Sequence, residues 1–81
     1  MKLPRDLSGP DLVKALRALG YTVTRQTGGH MRLTTQTNGE HHVTVPAHRQ
    51  LKVGTLNGIL DAVAGHFGLS RDEVLRRLGL A

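Results

Sequence analysis

The amino-acid sequence predicts an α+β two-layer sandwich, in which a three-stranded antiparallel sheet carries its helices on one face in the order α-β-β-β-α-α. Apolar residues recur at helical spacing between residues 12 and 19, alternate with polar residues from 21 to 46, and return to helical spacing after residue 55. The chain has 81 residues and no internal repeat or linker-like tract. Residues 1–81 are therefore predicted to form a single domain with a thin core.

The first helix is predicted to begin at Ser8 and to run to Gly20. Ser8 is a suitable cap, Pro10 is tolerated in the first turn, and Asp11 stands three residues after the cap, as in a capping box. One apolar stripe at helical spacing consists of Leu12, Ala15, Leu16 and Leu19. This stripe predicts that the helix packs on a sheet.

Three strands separated by glycine-containing turns are predicted next. Thr27-Gly28-Gly29 and Asn38-Gly39 supply the two turns. The strands are residues 21–26, His30 to Gln36 and His41 to Pro46. Strict alternation groups Tyr21, Val23 and Arg25 on one side of the first strand, and directs Met31, Leu33, Val43 and Val45 toward the core. His30 and Arg32 then share the opposite, solvent-facing side of the sheet.

Two further helices are predicted at the C-terminal end. Thr55 is the expected cap of a helix whose apolar stripe is Leu56, Ile59, Leu60 and Val63. The segment Gly65-His66-Phe67-Gly68 is expected to break that helix. Ser70 and Glu73 form a second capping box, which opens a short final helix.

The charge of the chain indicates a polyanionic partner. Its formal net charge is +5 and its pI is about 10.8, which favours nucleic acid. No apolar run approaches the roughly 20 residues of a membrane span, and the first five residues lack the apolar stretch of a signal peptide. We therefore expect no membrane association and a cytoplasmic protein.

The composition gives little support for a metal or cofactor. The chain has no cysteine, which removes thiolate ligands and thiol nucleophiles. His41 and His42 are adjacent on a strand and point to opposite faces, so they cannot chelate one ion together. A site built from His30, His42 and a carboxylate is conceivable but lacks clustered acids. We expect neither a metal nor a cofactor.

Three segments carry a resemblance to a known family. Val45-Pro46-Ala47-His48, followed by residues 51–60 (LKVGTLNGIL), and the Gly28-Gly29-His30 step resemble the HicA-type toxins of bacterial type II toxin–antitoxin pairs. The resemblance runs from the first helix to about Val63. It implies a fold like the double-stranded-RNA-binding domain, and an mRNA interferase activity that blocks translation. Gly29 stands where the family usually has Ser, Leu33 where an aromatic residue is common, and Met31 where a second histidine often follows.

The family's functional histidine corresponds to His30. Histidine is the side chain whose ordinary pKa suits general acid–base catalysis near neutral pH, and a cation two residues along the same strand face can bind a phosphate. We therefore expect His30 to be the catalytic acid/base of a metal-independent ribonuclease, with Arg32 on the scissile phosphate. The alternative is that His30 only solvates a hairpin edge.

Other residues are candidate RNA contacts. Arg25, His48, Arg49 and Lys52 are predicted to bind the RNA backbone. For His48, a hydrogen bond that fixes its loop to the following helix is an equal alternative. The resemblance also implies a cognate HicB-type antitoxin, expected to cover the His30 face. The alternative functions are a non-catalytic double-stranded-RNA-binding module, and an adaptor that never touches nucleic acid.

Overall fold

The computed structural model describes residues 6–81, and in this range it has three α-helices and one three-stranded sheet. The sheet order is β1-β2-β3 and both pairs of strands are antiparallel. The elements are α1 (Gly9–Leu16), β1 (Thr22–Thr27), β2 (His30–Thr35), β3 (His41–Pro46), α2 (Val53–Phe67) and α3 (Arg71–Arg77). The predicted fold class and order of elements are confirmed. The N-terminal segment on which the signal-peptide argument rests lies outside the described residues.

The core lies between the sheet and the helices. Leu12 and Leu16 of α1, Leu33 of β2 and Leu60 of α2 are fully buried in it. The predicted inward residues of the sheet, Met31, Leu33, Val43 and Val45, are all buried. The alternation in β2 and β3 therefore gives the correct faces, because each strand is covered by helices on one side only.

The first helix begins as predicted but changes geometry before it ends. The Ser8 hydroxyl accepts a hydrogen bond from the Asp11 N–H at 3.1 Å, which confirms the predicted cap. The α-helix stops at Leu16, and a 3₁₀ turn over Arg17–Leu19 completes the segment. Gly20 closes it with φ of 86°, a left-handed conformation that glycine adopts without steric cost.

Strand β1 departs from strict alternation. Val23 pairs with Leu33 and Arg25 pairs with Arg32, so Thr24 is the extra residue of a β-bulge. Cross-strand partners project to the same face of a sheet. The predicted grouping of Arg25 with Val23 is therefore wrong: the bulge moves Arg25 to the face that carries Arg32.

The second helix begins earlier than predicted. Lys52 is its N-cap residue, and the first helical hydrogen bond runs from the Leu56 N–H to the Lys52 carbonyl at 2.9 Å. Thr55 lies inside the helix, so its prediction as the cap is wrong. The buried Leu51 donates its N–H to the Leu7 carbonyl at 2.8 Å, which holds the chain immediately before the helix.

Local bonds set the end of α2 and the start of α3. The helix α2 continues through Gly65 to Phe67, and Gly68 is its C-cap with φ of 65°, so the prediction that the break begins at Gly65 is wrong. The Ser70 hydroxyl accepts from the Glu73 N–H at 3.1 Å, which confirms the second predicted cap. Arg71 then fastens α3 to α2 through Asp61, with an N–O distance of 2.6 Å.

Candidate functional site

Within residues 6–81 no helix covers one face of the sheet, and the residues of that face follow from the strand register. On β2 they are His30, Arg32 and Thr34, because the intervening Met31, Leu33 and Thr35 are buried. Their partners on β1 are Thr27, Arg25 and Thr22, and their partners on β3 are Pro46, Thr44 and His42. We name these nine residues, together with the bulge residue Thr24, the open face.

His30 stands at one end of the open face. Gly28 and Gly29 form the two-residue turn before it, and the φ of 53° at Gly28 requires a residue that tolerates positive φ. The imidazole is exposed and forms no hydrogen bond or ion pair with any residue in 6–81. A side chain positioned on a strand and left without a protein partner is available to a ligand.

Arg25 and Arg32 face each other across the β1–β2 pair. Both side chains are exposed, and neither forms an ion pair with a carboxylate in the described part of the chain. Like charges directly opposite each other on a sheet destabilise it, and an anion placed between them removes that cost. Arg32 lies about 7 Å along the strand from His30, at roughly 3.3 Å per residue. The structure therefore places the predicted cations beside the predicted imidazole.

The loop that carries His48 is tied to the turn before His30. The Ala47 N–H donates to the Gly29 carbonyl at 2.7 Å, so the residue before His48 touches the residue before His30. The Gly9 N–H donates to the His48 carbonyl at 2.9 Å. The backbone, not the imidazole, thus fixes this loop, and within residues 6–81 the His48 side chain has no hydrogen bond.

Arg49 and Lys52 are exposed in the same loop, but the structure does not join them to the open face. Neither is hydrogen-bonded or ion-paired with another described residue. They extend the positive charge from the His48 segment toward the start of α2. The structure therefore brings His30, Arg32 and Arg25 together on one face, with His48 close by and the other two cations further along the loop.

The other half of the open face carries a polar cluster that the sequence did not predict. Thr34 and His42 are neighbours there, with the Thr34 hydroxyl 2.7 Å from Nδ1 of His42. Nε2 of His42 lies 3.1 Å from the carboxylate of Glu40. The alternation places His42 outward, as predicted, but its two partners follow only from the register of β2 against β3 and from the shape of the hairpin.

His41 faces the opposite side of the sheet, as predicted. Its Nδ1 lies 2.7 Å from the hydroxyl of the buried Tyr21, and its ring stacks on that of His66 with centroids 4.4 Å apart. Burial is the main cause that lowers the pKa of His41, and the neighbouring His66 and His42 lower it further. Burial also raises the pKa of Tyr21 to about 12. This cluster joins the β2–β3 hairpin to the end of α2.

No group of three or more His, Asp or Glu side chains in residues 6–81 is arranged to hold a metal ion. No helix in that range is long and apolar enough to cross a membrane.

The fold and site define a small α+β protein with a basic, histidine-bearing sheet face, and comparison with known proteins gives its family. The model of the family described as "HicA toxin of bacterial toxin-antitoxin" matches residues 9–64, which cover α1, the whole sheet and most of α2. Neither the curated proteins nor the solved structures contain a match. The chain belongs to the HicA toxin family. It is therefore the toxin of a toxin–antitoxin pair, and its counterpart is an antitoxin.

Proposed function

We propose that this toxin is a metal-independent endoribonuclease that cleaves mRNA in the cytoplasm and so blocks translation, with His30 as its general acid/base. The observation that carries the proposal is the open face itself. It presents an imidazole that has no partner within residues 6–81 and, two residues or about 7 Å of backbone further along the same strand, a facing pair of arginines. The membership of the HicA family supports the same reading. We also propose that residues 1–81 form one domain, because buried residues from every helix and from β2 and β3 join one cluster.

The chemistry uses the 2′-hydroxyl of the substrate as the nucleophile. A base removes the proton of that hydroxyl, a bond forms between O2′ and phosphorus, and the bond between phosphorus and O5′ breaks. The leaving O5′ takes up a proton, and the products are a 2′,3′-cyclic phosphate and a 5′-hydroxyl. Neutral His30 is the base for the first proton, and its protonated form is an acid for the second.

The charge that builds up on the phosphorus oxygens needs a partner in this scheme. Arg32 presents five N–H donors on a planar fork and suits a phosphate better than a point charge does. Arg25, held opposite Arg32 by the bulge, contributes a second guanidinium. We assign His48, Arg49 and Lys52 to the flanking RNA backbone, because they lie in the loop that is bonded to the turn before His30.

The antitoxin is proposed to be a HicB-type protein that covers the His30 face. An acidic partner would meet the basic open face with the same charge complementarity as RNA does. Binding there would remove access to the imidazole and stop cleavage. Charge reversal at Arg25 or Arg32 should then weaken both RNA binding and antitoxin binding.

The test is RNA cleavage in EDTA by the wild-type chain, by His30→Ala and by Arg32→Ala, with His48→Ala as a matched histidine control. Circular dichroism confirms that each variant keeps its fold. We expect cyclic phosphate ends from the wild type, no cleavage by His30→Ala with RNA binding retained, and weakened but measurable cleavage by His48→Ala. Cleavage by His30→Ala at the wild-type rate would overturn the proposal. RNA bound equally by the wild type and His30→Ala but never cut would favour the non-catalytic RNA-binding module.

A further inference from the structure

A continuous chain of side-chain hydrogen bonds begins on the second half of the open face and runs beyond it to Glu40 and Gln36. It runs from the Thr24 hydroxyl to the Thr34 hydroxyl at 2.9 Å, and from Thr34 to Nδ1 of His42 at 2.7 Å. It continues from Nε2 of His42 to Oε2 of Glu40 at 3.1 Å, and from the Gln36 amide to Oε1 of Glu40 at 3.3 Å. We name these five residues the polar chain.

The direction of these bonds follows from the carboxylate. The hydrogen bonds from Gln36 and His42 lower the pKa of Glu40, so it is ionised near neutral pH and only accepts. Nε2 of His42 must then donate, and in the neutral imidazole Nδ1 is left to accept from the Thr34 hydroxyl. Thr34 in turn accepts from Thr24. Each member therefore holds the next in one orientation, and the carboxylate accepts from His42 on one side and from Gln36 on the other.

The polar chain contributes little to stability. The side chains of His42 and Glu40 are 38% and 62% exposed, and an ion pair at such a surface adds little to the free energy of unfolding. Ordering these side chains also costs conformational entropy. Its clear physical consequence is a carboxylate held in a defined orientation. Two protein hydrogen bonds use about half of its roughly four lone-pair sites, and the rest stay open to solvent.

The polar chain lies several residues along the sheet from His30, where the reacting phosphate is proposed to bind. Thr34 is four residues after His30 on β2, which is about 13 Å at roughly 3.3 Å per residue. Glu40 precedes His41, the partner of Thr35, so its backbone lies further still from His30, while its carboxylate reaches back to His42, the partner of Thr34. The Arg32 guanidinium, two residues nearer to His30, also helps to lower the pKa of Glu40. An RNA that places one phosphate at His30 and Arg32 thus presents a different nucleotide to the polar chain.

Charge decides which part of that nucleotide can bind. A phosphate is repelled by the Glu40 carboxylate, which can only accept hydrogen bonds. The Watson–Crick edge of guanine carries two adjacent donors, N1–H and the N2 amino group, which match the two oxygens of a carboxylate. The same edges of adenine and cytosine pair one amino group with an acceptor nitrogen, and that of uracil places its single N–H between two acceptors. These acceptors face the carboxylate unfavourably.

Resting on the proposed function, we propose that Glu40, oriented by His42 and Gln36, is a specificity-determining residue that binds guanine at a position neighbouring the cleaved bond. Its preference for guanine over uracil is about 5- to 150-fold, as expected for one good bidentate contact. His42 acts through Glu40 and is a positioning residue, distinct from the acid/base His30.

The experiment compares base preference, not rate alone. A pool of randomised RNA is cut by the wild type, by Glu40→Gln, by His42→Ala and by Glu73→Gln, and the bases around each cut are counted by sequencing. Glu73 is the matched control, since it is a surface carboxylate that accepts hydrogen bonds from two side chains, Arg76 and Arg77 of α3. We expect guanine enrichment for the wild type and Glu73→Gln. The enrichment falls in His42→Ala, and in Glu40→Gln it is lost in favour of adenine, which suits a glutamine amide.

A binding assay tests the guanine site independently of the proposed nuclease activity. His30→Ala and the double variant His30→Ala with Glu40→Gln are titrated with short labelled RNAs that carry guanine, inosine or uracil at one position. Inosine lacks only the N2 amino group, so the single variant should bind it several-fold more weakly than guanine, and the double variant should not distinguish them. If the wild type never cuts RNA but this pattern appears, the nuclease assignment fails and the guanine site stands. Equal binding of all three RNAs by the single variant, or unchanged cut sites in Glu40→Gln, would overturn the guanine site.

Discussion

Replacing Gly9 with alanine should destabilise the toxin, although alanine is normally the better helix residue. Gly9 is the buried first residue of α1, and its N–H donates to the His48 carbonyl at 2.9 Å. A Cβ atom built at this position would lie 1.9 Å from the Pro46 carbonyl oxygen and 3.2 Å from Cα of Ala47. Backbone atoms at this end of β3 have no flexible side chain to yield, so α1 and the loop after β3 would have to separate.

The magnitude follows from that separation. Cβ contacts closer than 3.0 Å are essentially never found, so the backbones must part by at least about 1.1 Å, which also breaks the bond to the His48 carbonyl. Overpacking costs about 1–3 kcal/mol, the lost hydrogen bond about 1 kcal/mol, and the gain from alanine is at most about 1 kcal/mol. The free energy of unfolding should fall by about 2 kcal/mol, which lowers Tm by roughly 8–16 °C in a domain of this size.

The assay is thermal and urea unfolding of Gly9→Ala beside Gly58→Ala. Gly58 lies inside α2, is exposed, and has no atom within 4 Å of a built Cβ, so its replacement should raise stability by about 0.5–1 kcal/mol. The two substitutions are chemically identical and should have opposite signs. A Gly9→Ala variant as stable as the wild type would refute the argument that α1 and the His48 loop are in backbone contact.

Three further predictions concern the contact between Tyr21 and His41 and the turn before His30. Tyr21→Phe removes the hydroxyl that is bonded to Nδ1 of His41, and the free energy of unfolding measured in urea should fall by about 1 kcal/mol. In the wild type, the single tyrosine should ionise at about pH 12 when its absorbance is titrated. The lowered pKa of His41 means that the unfolded chain takes up this proton first as pH falls. The neutral His41 imidazole therefore contributes fully to stability above about pH 6.5, and this contribution is lost as pH falls through the lower pKa of the folded state. The fall in Tm between about pH 7 and pH 5 should be smaller in His41→Gln than in the wild type. Gly29→Ser should raise the free energy of unfolding by about 0.4–1 kcal/mol, because Gly29 is not at positive φ and a Cβ built on it has no described neighbour within 4 Å. Gly28→Ser should lower it by about 1–2 kcal/mol, because the φ of Gly28 is 53°. A Gly29→Ser variant less stable than Gly28→Ser would contradict this account of the turn.

Local patterns predicted most of the fold because they report on short-range physics. Ser8 and Ser70 cap their helices as expected, since a capping hydroxyl needs only the backbone three residues ahead. Errors occurred where a distant contact overrides the local preference. Thr55 has a good capping side chain, but the buried Leu51 and its bond to Leu7 hold the chain so that the helix starts at Val53.

The candidate site also has some features that local sequence predicts and others that depend on distant contacts. His30 and Arg32 could be placed on one face from the sequence, because residues two apart on a strand always share a side. Arg25 was predicted as a phosphate contact, but only the bulge explains how it reaches that side, and a bulge is a property of the strand pair. The stretch before the His48 imidazole approaches the turn before His30 through the Ala47–Gly29 bond, which joins residues far apart in the chain.

The sequence by itself determined the class of fold, the outward position of His30 and the resemblance to the HicA family, because each depends on residue type and spacing along the chain. Only the tertiary structure decided which side chains meet across strands. The facing pair of Arg25 and Arg32, the hydrogen bond from Thr34 to His42, and the contact of Gly9 with Pro46 all join residues separated by at least one turn. Their geometry depends on register and packing, which arise when the elements fold together and not from any one segment.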